Sequence, residues 1–540
     1  MKWFLVVCLI LSLGRVYAQD TSGVQFTTIK TDTPVAVAKN SVKSADVRTA
    51  SVPAVQPASG WTIFLEGLAG GLAALLMPCI FPMLPLTVSF FTKGAGKRGA
   101  ARKAAIYGLS IVAIYVALGL AVTATFGAGA LNNLSTNGIF NMAFFLLLVL
   151  FAASFLGGFE LTLPASWVSK IDARSSRHGL IGIFFMATTL ALVSFSCTGP
   201  IIGTLLVQTA TTGALLGPAV GMLGFSVALA LPFTLFALFP GWLSRLPKSG
   251  GWLNSVKVVL GFLELALSLK FLSNVDLAYH WHWFDREIFL VLWIVIAGML
   301  GMYLLGKLTL AGDSNLLFVS VPRLFLAIVV LAFTVYMIPG LWGAPLKSIA
   351  AFLPPQDTQD FDLYTPTLTV ARGKAVTEVE DFPQTIKYAD LFHAPLGLHA
   401  FFDFKEGLAF AKKVHKPVLI DFTGHACVNC RKMEATIWPD NAVLALIRDK
   451  YVLIELYVDD KTALPVSEQY TSAFSKRLVT DIGALNSDIQ ASRFNSNSQP
   501  EYVLLDDTGQ LLLPPKGAVY DATAYAQYLE GGVAAFDKIK

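Results

Sequence analysis

Eight long apolar segments constrain this chain more than any other feature of its sequence. Each is near or above the roughly 20 residues that an α-helix needs to cross the hydrocarbon core of a bilayer. The segments cover residues 61–92, 104–127, 139–161, 179–209, 217–240, 253–273, 288–306 and 321–341. Because 55% of the 540 residues are hydrophobic and only 14% are charged, one soluble globular protein is excluded. The sequence predicts a polytopic α-helical membrane protein with eight transmembrane helices.

The connections between these segments differ in charge, and the difference predicts their orientation. Short cytoplasmic loops carry an excess of Lys and Arg. The first connection contains five basic residues, among them Lys93 and Arg98, and no acid, whereas residues 128–138 in the second carry no charge. The third and fifth connections are again basic. With an even number of spans, both chain ends are expected outside the cytoplasm.

The first 18 residues have the pattern of a secretory signal peptide, with Lys2, an apolar stretch and a small-residue cleavage site ending at Ala18. An uncleaved anchor is the alternative, but the apolar stretch is shorter than a membrane span. The expected boundaries are a signal peptide at 1–18, a periplasmic linker at 19–60, the transmembrane domain at 61–341, a second periplasmic linker at 342–394 and a soluble domain at 395–540.

Two cysteines lie at matching positions in the membrane region. Cys79 in the first segment and Cys197 in the fourth each precede a proline by three residues, Pro82 and Pro200. Three helices per unit is an odd number, so segments 1–3 and 4–6 run in opposite directions as an inverted repeat. Prolines break helix hydrogen bonding and are tolerated where they line a cavity. We expect the two thiols to meet near the midplane, although either cysteine alone would be read as a small packing residue.

The C-terminal region has the alternating pattern of an α/β domain. Strand candidates at 399–402, 418–423 and 451–458 alternate with helices. After a polar insertion, a hairpin-like segment at 501–513 precedes a terminal helix.

A C-x-x-C motif, Cys427 to Cys430, follows the second of these strands and opens a helix. The first sulfur then lies at the helix N-terminus, where unpaired N–H groups and the helix dipole favour a thiolate. Cys427 is expected to be the nucleophile, and Cys430 the residue that resolves the mixed disulfide. The alternative is half of a zinc site with His425 as a third ligand. Zinc would need a fourth Cys or His nearby, and the soluble domain has only these two cysteines.

Residues 418–422 and the C-V-N-C that follows resemble the active-site strand and motif of thioredoxin-like domains. The resemblance implies that Asp421 is the buried acid of that family, that Pro500 belongs to its cis-proline loop, and that Glu434 is a second acid found in the terminal domain of the DsbD family. A buried carboxylate near a thiol disfavours a second negative charge and can relay its proton. A solvated strand end is the alternative for Asp421. Ala426 departs from the aromatic residue usual before the first cysteine.

The membrane region resembles the transmembrane domain of the DsbD family of thiol-disulfide reductases and, less closely, the smaller CcdA proteins. The resemblance implies a bacterial inner-membrane enzyme that needs no metal or flavin. Electrons would pass from cytoplasmic thioredoxin through Cys79 and Cys197 to Cys427 and Cys430. Residues 19–60 are too short for the immunoglobulin-like domain of the family and contain no cysteine. The acceptors are therefore expected to be separate periplasmic proteins of the isomerase or cytochrome c maturation type.

Two rival functions fit part of the pattern. A disulfide-generating oxidase would run electrons in the opposite direction, but no second exposed cysteine pair is evident. A solute transporter would use the inverted repeat for a substrate and the thioredoxin-like domain as an accessory. The scattered basic residues and the net charge of +4 predict no nucleic-acid surface.

Two further features of the membrane region carry weaker signals. Glu264 and Lys270 lie within the sixth apolar segment, and an intramembrane ionisable residue is a candidate for function. The aromatic cluster at 279–283, which contains two histidines, is expected to mark the membrane interface rather than a metal site.

Overall fold

The computed structural model of this protein describes residues 60–75, 97–126, 137–159, 187, 216–238, 250–310, 313, 318–363 and 382–539. The expectations that fall outside these ranges concern the signal peptide, most of the first linker, Cys79, Pro82, Cys197 and Pro200. They stay predictions, as does the inverted repeat that depends on them.

Apolar helices make up the described part of the membrane region. They are α1 (Gly60–Ala74), α2 (Lys97–Phe126), α3 (Gly138–Phe155), α4 (Leu216–Leu238), α5 (Gly250–Tyr279), α6 (Arg286–Leu304) and α7 (Val321–Met337). Among the described residues, the helical stretches long and apolar enough to cross a bilayer are Gly138–Phe155, Asn254–Tyr279, Arg286–Leu304 and Val321–Trp342. The polytopic helical class is confirmed, while the number of eight spans stays a prediction.

Close backbone contacts join the membrane helices in pairs. An added Cβ on Gly67 of α1 would overlap the carbonyl oxygen of Gly221 in α4, and one on Gly224 would overlap that of Phe64. Helix α2 also packs on α4, α3 packs on α5, and α6 packs on α7. Small residues allow the helices to approach closely. In a bilayer, where no hydrophobic effect drives helices together, the van der Waals contacts formed in this way stabilise their association.

Compact turns follow α7, where the sequence indicates an extended linker. Residues Ile338–Trp342, Ala350–Phe352 and Gln356–Thr358 form 3-10 turns. Arg286, buried at the start of α6, donates hydrogen bonds to the carbonyl oxygens of Pro354 at 2.7 Å and Ala344 at 3.4 Å. The cation satisfies backbone carbonyls that would otherwise be buried without a partner. These contacts fold residues 338–358 back onto the start of α6.

The C-terminal region is a thioredoxin-like α/β domain, as the sequence predicts. Its sheet has the order β1-β3-β2-β6-β7, in which β1, β3 and β2 are parallel and β6 and β7 are antiparallel to their neighbours. In chain order the elements are β1 (Ala400–Phe401), α8 (Phe404–Val414), β2 (Val418–Thr423), α9 (Val428–Thr436), α10 (Asn441–Lys450), β3 (Val452–Tyr457), β4 (Tyr470–Thr471), β5 (Leu478–Val479), α11 (Ile482–Phe494), β6 (Glu501–Leu505), β7 (Leu511–Lys516) and α12 (Ala522–Asp537).

The two faces of the sheet pack into separate cores because successive strand residues point to opposite sides. Leu419, Leu453 and Tyr502 lie in the core on the side of α9, α10 and α12. Ile420 and Ile454 lie in the other core, towards α8 and α11. Asp421 alternates with these residues and therefore faces α9.

Side-chain caps set the beginnings of several helices in this domain. Asp403 accepts hydrogen bonds from the backbone N–H groups of Lys405 and Glu406 at the start of α8. Asp440 and Asp481 cap α10 and α11 in the same way. The sequence reading does not separate α10 from the segment after the motif, and it places α11 inside a polar insertion.

Replacement of Ile454 by Ala should destabilise the domain because its side chain is fully buried in β3, an interior strand of the sheet. We expect a loss of about 2–5 kcal/mol in the free energy of unfolding from lost contacts and the residual cavity. Pulse proteolysis of the full-length protein in detergent across a urea series measures this loss. Leu511→Ala at a half-exposed edge position is the control and should cost less than about 1 kcal/mol. Equal losses in the two variants would contradict the assigned core.

Candidate functional site: the thiol pair and its buried acids

Cys427 and Cys430 form a disulfide at the start of α9, with their Cα atoms 5.3 Å apart. Cys427 is the N-cap residue, and its Sγ accepts a hydrogen bond from the backbone N–H of Cys430 at 3.1 Å. Cys430 is fully buried, whereas Cys427 is half-buried. The accessible sulfur is therefore the one that lies at the helix N-terminus, where a thiolate is stabilised.

Asp459 holds the loop that carries Cys427. Its Oδ1 accepts a hydrogen bond from the backbone N–H of His425 at 2.8 Å, and its Oδ2 accepts one from Ala426 at 3.0 Å. Gly424 passes so close that an added Cβ would lie 2.8 Å from Asp459 Oδ2. Asp459 is not among the site residues predicted from the sequence. Its position two residues after the buried strand β3 is the signal that indicates it, because the carboxyl end of β3 lies beside that of its parallel neighbour β2.

A cluster of buried ionisable groups lies on the α9 face of the sheet. Asp421 of β2 is directly paired in register with Glu455 of β3, and both are buried. Arg431 and Glu434 of α9 form an ion pair with a 2.8 Å distance between Nη2 and Oε1. Because Asp421 is buried, the alternative that it lies at a solvated strand end is wrong. Glu455 is not among the site residues predicted from the sequence, although a glutamate within the apolar segment of β3 indicates a buried carboxylate.

Burial keeps these acids protonated to an unusually high pH. It raises the pKa of Asp421 well above its ordinary value, and repulsion from Glu434 adds to the shift while Arg431 opposes it. Burial likewise raises the pKa of Glu455, with Asp421 as the next cause. Burial raises the pKa of Glu434 to about 7, although Arg431 acts in the opposite direction. One guanidinium cannot compensate three buried carboxylates.

This arrangement can supply protons to thiol chemistry. Reduction of a disulfide to two thiols takes up two protons, and oxidation releases them. Glu434 follows Cys430 by one turn of α9, and with a pKa of about 7 it can exchange a proton near neutral pH. Buried carboxyls also disfavour a second negative charge beside a thiolate. The cluster therefore suits a site that gains and loses electron pairs by thiol-disulfide exchange.

The remaining candidates from the sequence have separate positions. The Gln499–Pro500 peptide bond is cis, in agreement with the resemblance, and Pro500 precedes β6, where Glu501 pairs with Phe422 at the end of β2. Glu264 is buried in α5, and neither of its carboxylate oxygens has a hydrogen-bond partner among the described residues. Cys79, Cys197, Pro82 and Pro200 lie outside the described residues, so their part in the site stays a prediction.

Glu434→Gln should reduce the dependence of domain stability on pH. In the folded protein Glu434 has a pKa of about 7, above its ordinary 4.5, so the stability it contributes is complete below about pH 4.5 and is lost as the pH rises through 7. The loss amounts to about 3 kcal/mol at 1.36 kcal/mol per pKa unit. Pulse proteolysis in urea at pH 5 to 8 should show a smaller fall in the variant than in the parent protein.

The matched control for this measurement is Glu530→Gln, at an exposed position of α12, which should leave the pH dependence unchanged. Asp421 and Glu455 remain in both variants, so part of the fall should persist. An unchanged fall in Glu434→Gln would show that Glu434 does not hold a proton in the folded domain near neutral pH.

Comparisons with known families cover both parts of the chain. Residues 60–275 match the family described as "Cytochrome C biogenesis protein transmembrane domain". Residues 404–532 match the family described as "Thioredoxin-like domain". The two matches follow each other in the order that the sequence analysis predicts.

Several curated relatives carry the name thiol:disulfide interchange protein DsbD. The chain is 26% identical to the protein of Ralstonia nicotianae over 395 residues, which are 71% of this chain and 57% of that protein. It is 29% identical to DsbD 2 of Pseudomonas aeruginosa over 422 residues, 76% of this chain and 64% of that protein. The chain thus spans about three fifths of the length of these relatives. Both domains match in the same order, so the chain combines a transmembrane domain similar to that of the DsbD relatives with a thioredoxin-like domain.

Proposed function

We propose that this protein is a transmembrane protein-disulfide reductase that carries electron pairs outward through two pairs of cysteines. The observation that carries the proposal is the Cys427–Cys430 disulfide at the start of α9, with Cys427 partly accessible and buried acids on the sheet face that α9 covers. The match of the membrane region supports a partner pair there, for which Cys79 and Cys197 are the candidates. The donor would be cytoplasmic thioredoxin, and the acceptors would be periplasmic disulfide proteins.

Each transfer would consist of two exchange steps. A thiolate of the Cys79/Cys197 pair attacks Sγ of Cys427, the Cys427–Cys430 bond breaks, and Cys430 leaves as a thiolate that takes up a proton. The second membrane cysteine then attacks the mixed disulfide and releases Cys427. The membrane pair is thereby oxidised to a disulfide while Cys427 and Cys430 are reduced to thiols, with no other oxidant or reductant.

The same chemistry would pass the electrons onward. The Cys427 thiolate attacks the disulfide of an acceptor protein, and Cys430 resolves the mixed disulfide by attacking Sγ of Cys427. The acceptor leaves with two thiols, and the Cys427–Cys430 disulfide forms again. The half-buried position of Cys427 and the full burial of Cys430 support this division of roles.

Several features support a bacterial inner-membrane location with the thioredoxin-like domain in the periplasm. The basic connections alternate with uncharged or acidic ones, as the positive-inside rule requires. The backbone N–H of Lys461 in the thioredoxin-like domain donates a hydrogen bond to the carbonyl oxygen of Ala278 near the end of α5. This contact is at the end of α5 that leads into the acidic sixth connection, which the loop charges assign to the periplasmic side.

Cys79→Ala and Cys197→Ala should each leave the Cys427–Cys430 pair oxidised in cells, because each variant interrupts the supply of electrons. Acid quenching followed by alkylation with a maleimide that adds mass measures the redox state of the pair. Cys8→Ala, in the predicted signal peptide, is the control and should leave the pair reduced. If the two membrane variants keep the pair reduced, the relay is overturned, and a transporter with an accessory thioredoxin-like domain becomes the better explanation.

Removal of cytoplasmic thioredoxin reductase should also shift the Cys427–Cys430 pair towards the disulfide, since the proposed electrons originate in the cytoplasm. The same alkylation assay detects the shift. Restoration of the reductase from a plasmid should reverse it. Thiols that stay reduced without the reductase would instead favour an enzyme that runs in the oxidising direction.

A further inference from the structure

Two histidines and one aspartate from separate parts of the chain converge where the thioredoxin-like domain meets the end of α5. His280 Nε2 lies 2.7 Å from Asp460 Oδ2, and His425 Nε2 lies 3.0 Å from the same oxygen. The three ligand atoms all lie within 4.8 Å of one another. His280 belongs to the membrane region, whereas the other two residues belong to the thioredoxin-like domain. None of the three takes part in the thiol exchange proposed above.

Each of these side chains is held by a fixed backbone. His280 directly follows α5 in a left-handed conformation with φ of 52°, and the turn closes where the backbone N–H of Trp281 donates to the carbonyl oxygen of Asp276. Asp460 accepts a hydrogen bond from the backbone N–H of Thr462 through its other oxygen, Oδ1. His425 is held through its own backbone N–H by Asp459, as described above.

Aromatic packing fixes the planes of both imidazoles. The His425 ring stacks on Tyr457 with 4.7 Å between ring centroids. Phe392 meets the His280 ring edge-on at 5.6 Å and lies 6.1 Å from the His425 ring. The side chains are 13% exposed for His280, 7% for His425 and 0% for Asp460. Because the three side chains are packed in place and almost inaccessible to water, they lose little conformational entropy when they bind a ligand.

The donor set matches a transition metal of the zinc type. Two neutral imidazoles and one carboxylate are a known set for zinc, which takes three protein ligands in sites that keep a fourth position open. Metal–ligand bonds of about 2.0–2.1 Å in a tetrahedron place ligand atoms about 3.3–3.4 Å apart. The Asp460 contacts to His280 and His425 would therefore open by only about half an ångström to admit the ion. The single carboxylate argues against calcium or magnesium, which prefer oxygen ligands.

We propose that His280, His425 and Asp460 form a binding site for a divalent transition metal of the zinc type. The sequence alone indicates zinc only as an alternative at Cys427, Cys430 and His425, where a fourth ligand is lacking, and it favours a membrane interface over a metal site for the cluster that contains His280. In the structure His280 comes from outside the soluble domain, and both cysteines stay free for redox chemistry. Because the ligands come from both domains, metal binding and the contact between the thioredoxin-like domain and α5 stabilise each other.

Cobalt(II) is the probe for this site because its visible absorption reports coordination number. The experiment uses the full-length protein in detergent, without a polyhistidine tag, treated with chelator and fully oxidised so that no thiol can bind metal. We expect one Co²⁺ per chain with the intense absorption of a four-coordinate ion, displaced by one equivalent of Zn²⁺. His280→Gln and Asp460→Asn should each weaken binding by more than about tenfold, the range known for the loss of even a supporting group.

His282→Gln is the matched control, since His282 lies two residues from His280 with its side chain 69% exposed, and it should bind Co²⁺ like the parent protein. Pulse proteolysis in urea verifies that each variant is folded, and His280→Gln leaves the sequence of the thioredoxin-like domain itself unaltered. Failure of the oxidised parent protein to bind Co²⁺ or Zn²⁺ would reduce the cluster to a hydrogen-bonded contact and overturn the proposal. Binding that His280→Gln leaves unchanged would overturn it equally.

Discussion

The parallel pairing of β2 with β3 is the constraint on which the redox site depends. Because the two strands run in the same direction, the loop after β2 and the loop after β3 leave the sheet at the same edge. The first loop carries Cys427, and the second contains Asp459, which accepts hydrogen bonds from backbone N–H groups of the first loop. The same register pairs Asp421 with Glu455 on the face covered by α9. One strand pairing thus sets both the geometry of the thiol loop and the electrostatics beneath it.

Those electrostatics are unfavourable for stability and suited to redox chemistry. Desolvation disfavours the ionised forms of Asp421 and Glu455. Arg431, which is paired with Glu434, compensates only part of this desolvation cost. Hydrophobic residues of similar size would avoid this cost. Buried acids with raised pKa values, among them Glu434 with a pKa of about 7, match the need of a disulfide for two protons on reduction. The buried acids therefore lower the stability of the domain at the site where the proposed reaction needs protons.

The sequence predicts those parts of the structure that depend on local patterns. Among the described residues, the predicted apolar segments 217–240, 288–306 and 321–341, the strand before Cys427 and the helix that begins at the motif agree with the structure within a few residues. The sequence reading missed α11 because Asn486 and Gln490 occupy its buried face beside Ile482 and Gly483. Their amides donate to backbone carbonyls of Tyr457 and Ser498, so the helix lacks the hydrophobic period that signals an amphipathic helix. Polar burial of this kind depends on partners far away in the chain.

The same limit explains why the contact between the two domains could not be read from the sequence. His280 stands in an aromatic cluster typical of a membrane interface, and only the folded chain brings it to Asp460. His425, which also binds Asp460, is separated from Cys427 by a single residue. Displacement of the thioredoxin-like domain from α5 must break the His280–Asp460 contact, which touches the loop that carries the nucleophile. Under the proposed function, a movement of the domain between donor and acceptor would therefore be coupled to the geometry of the loop that carries Cys427.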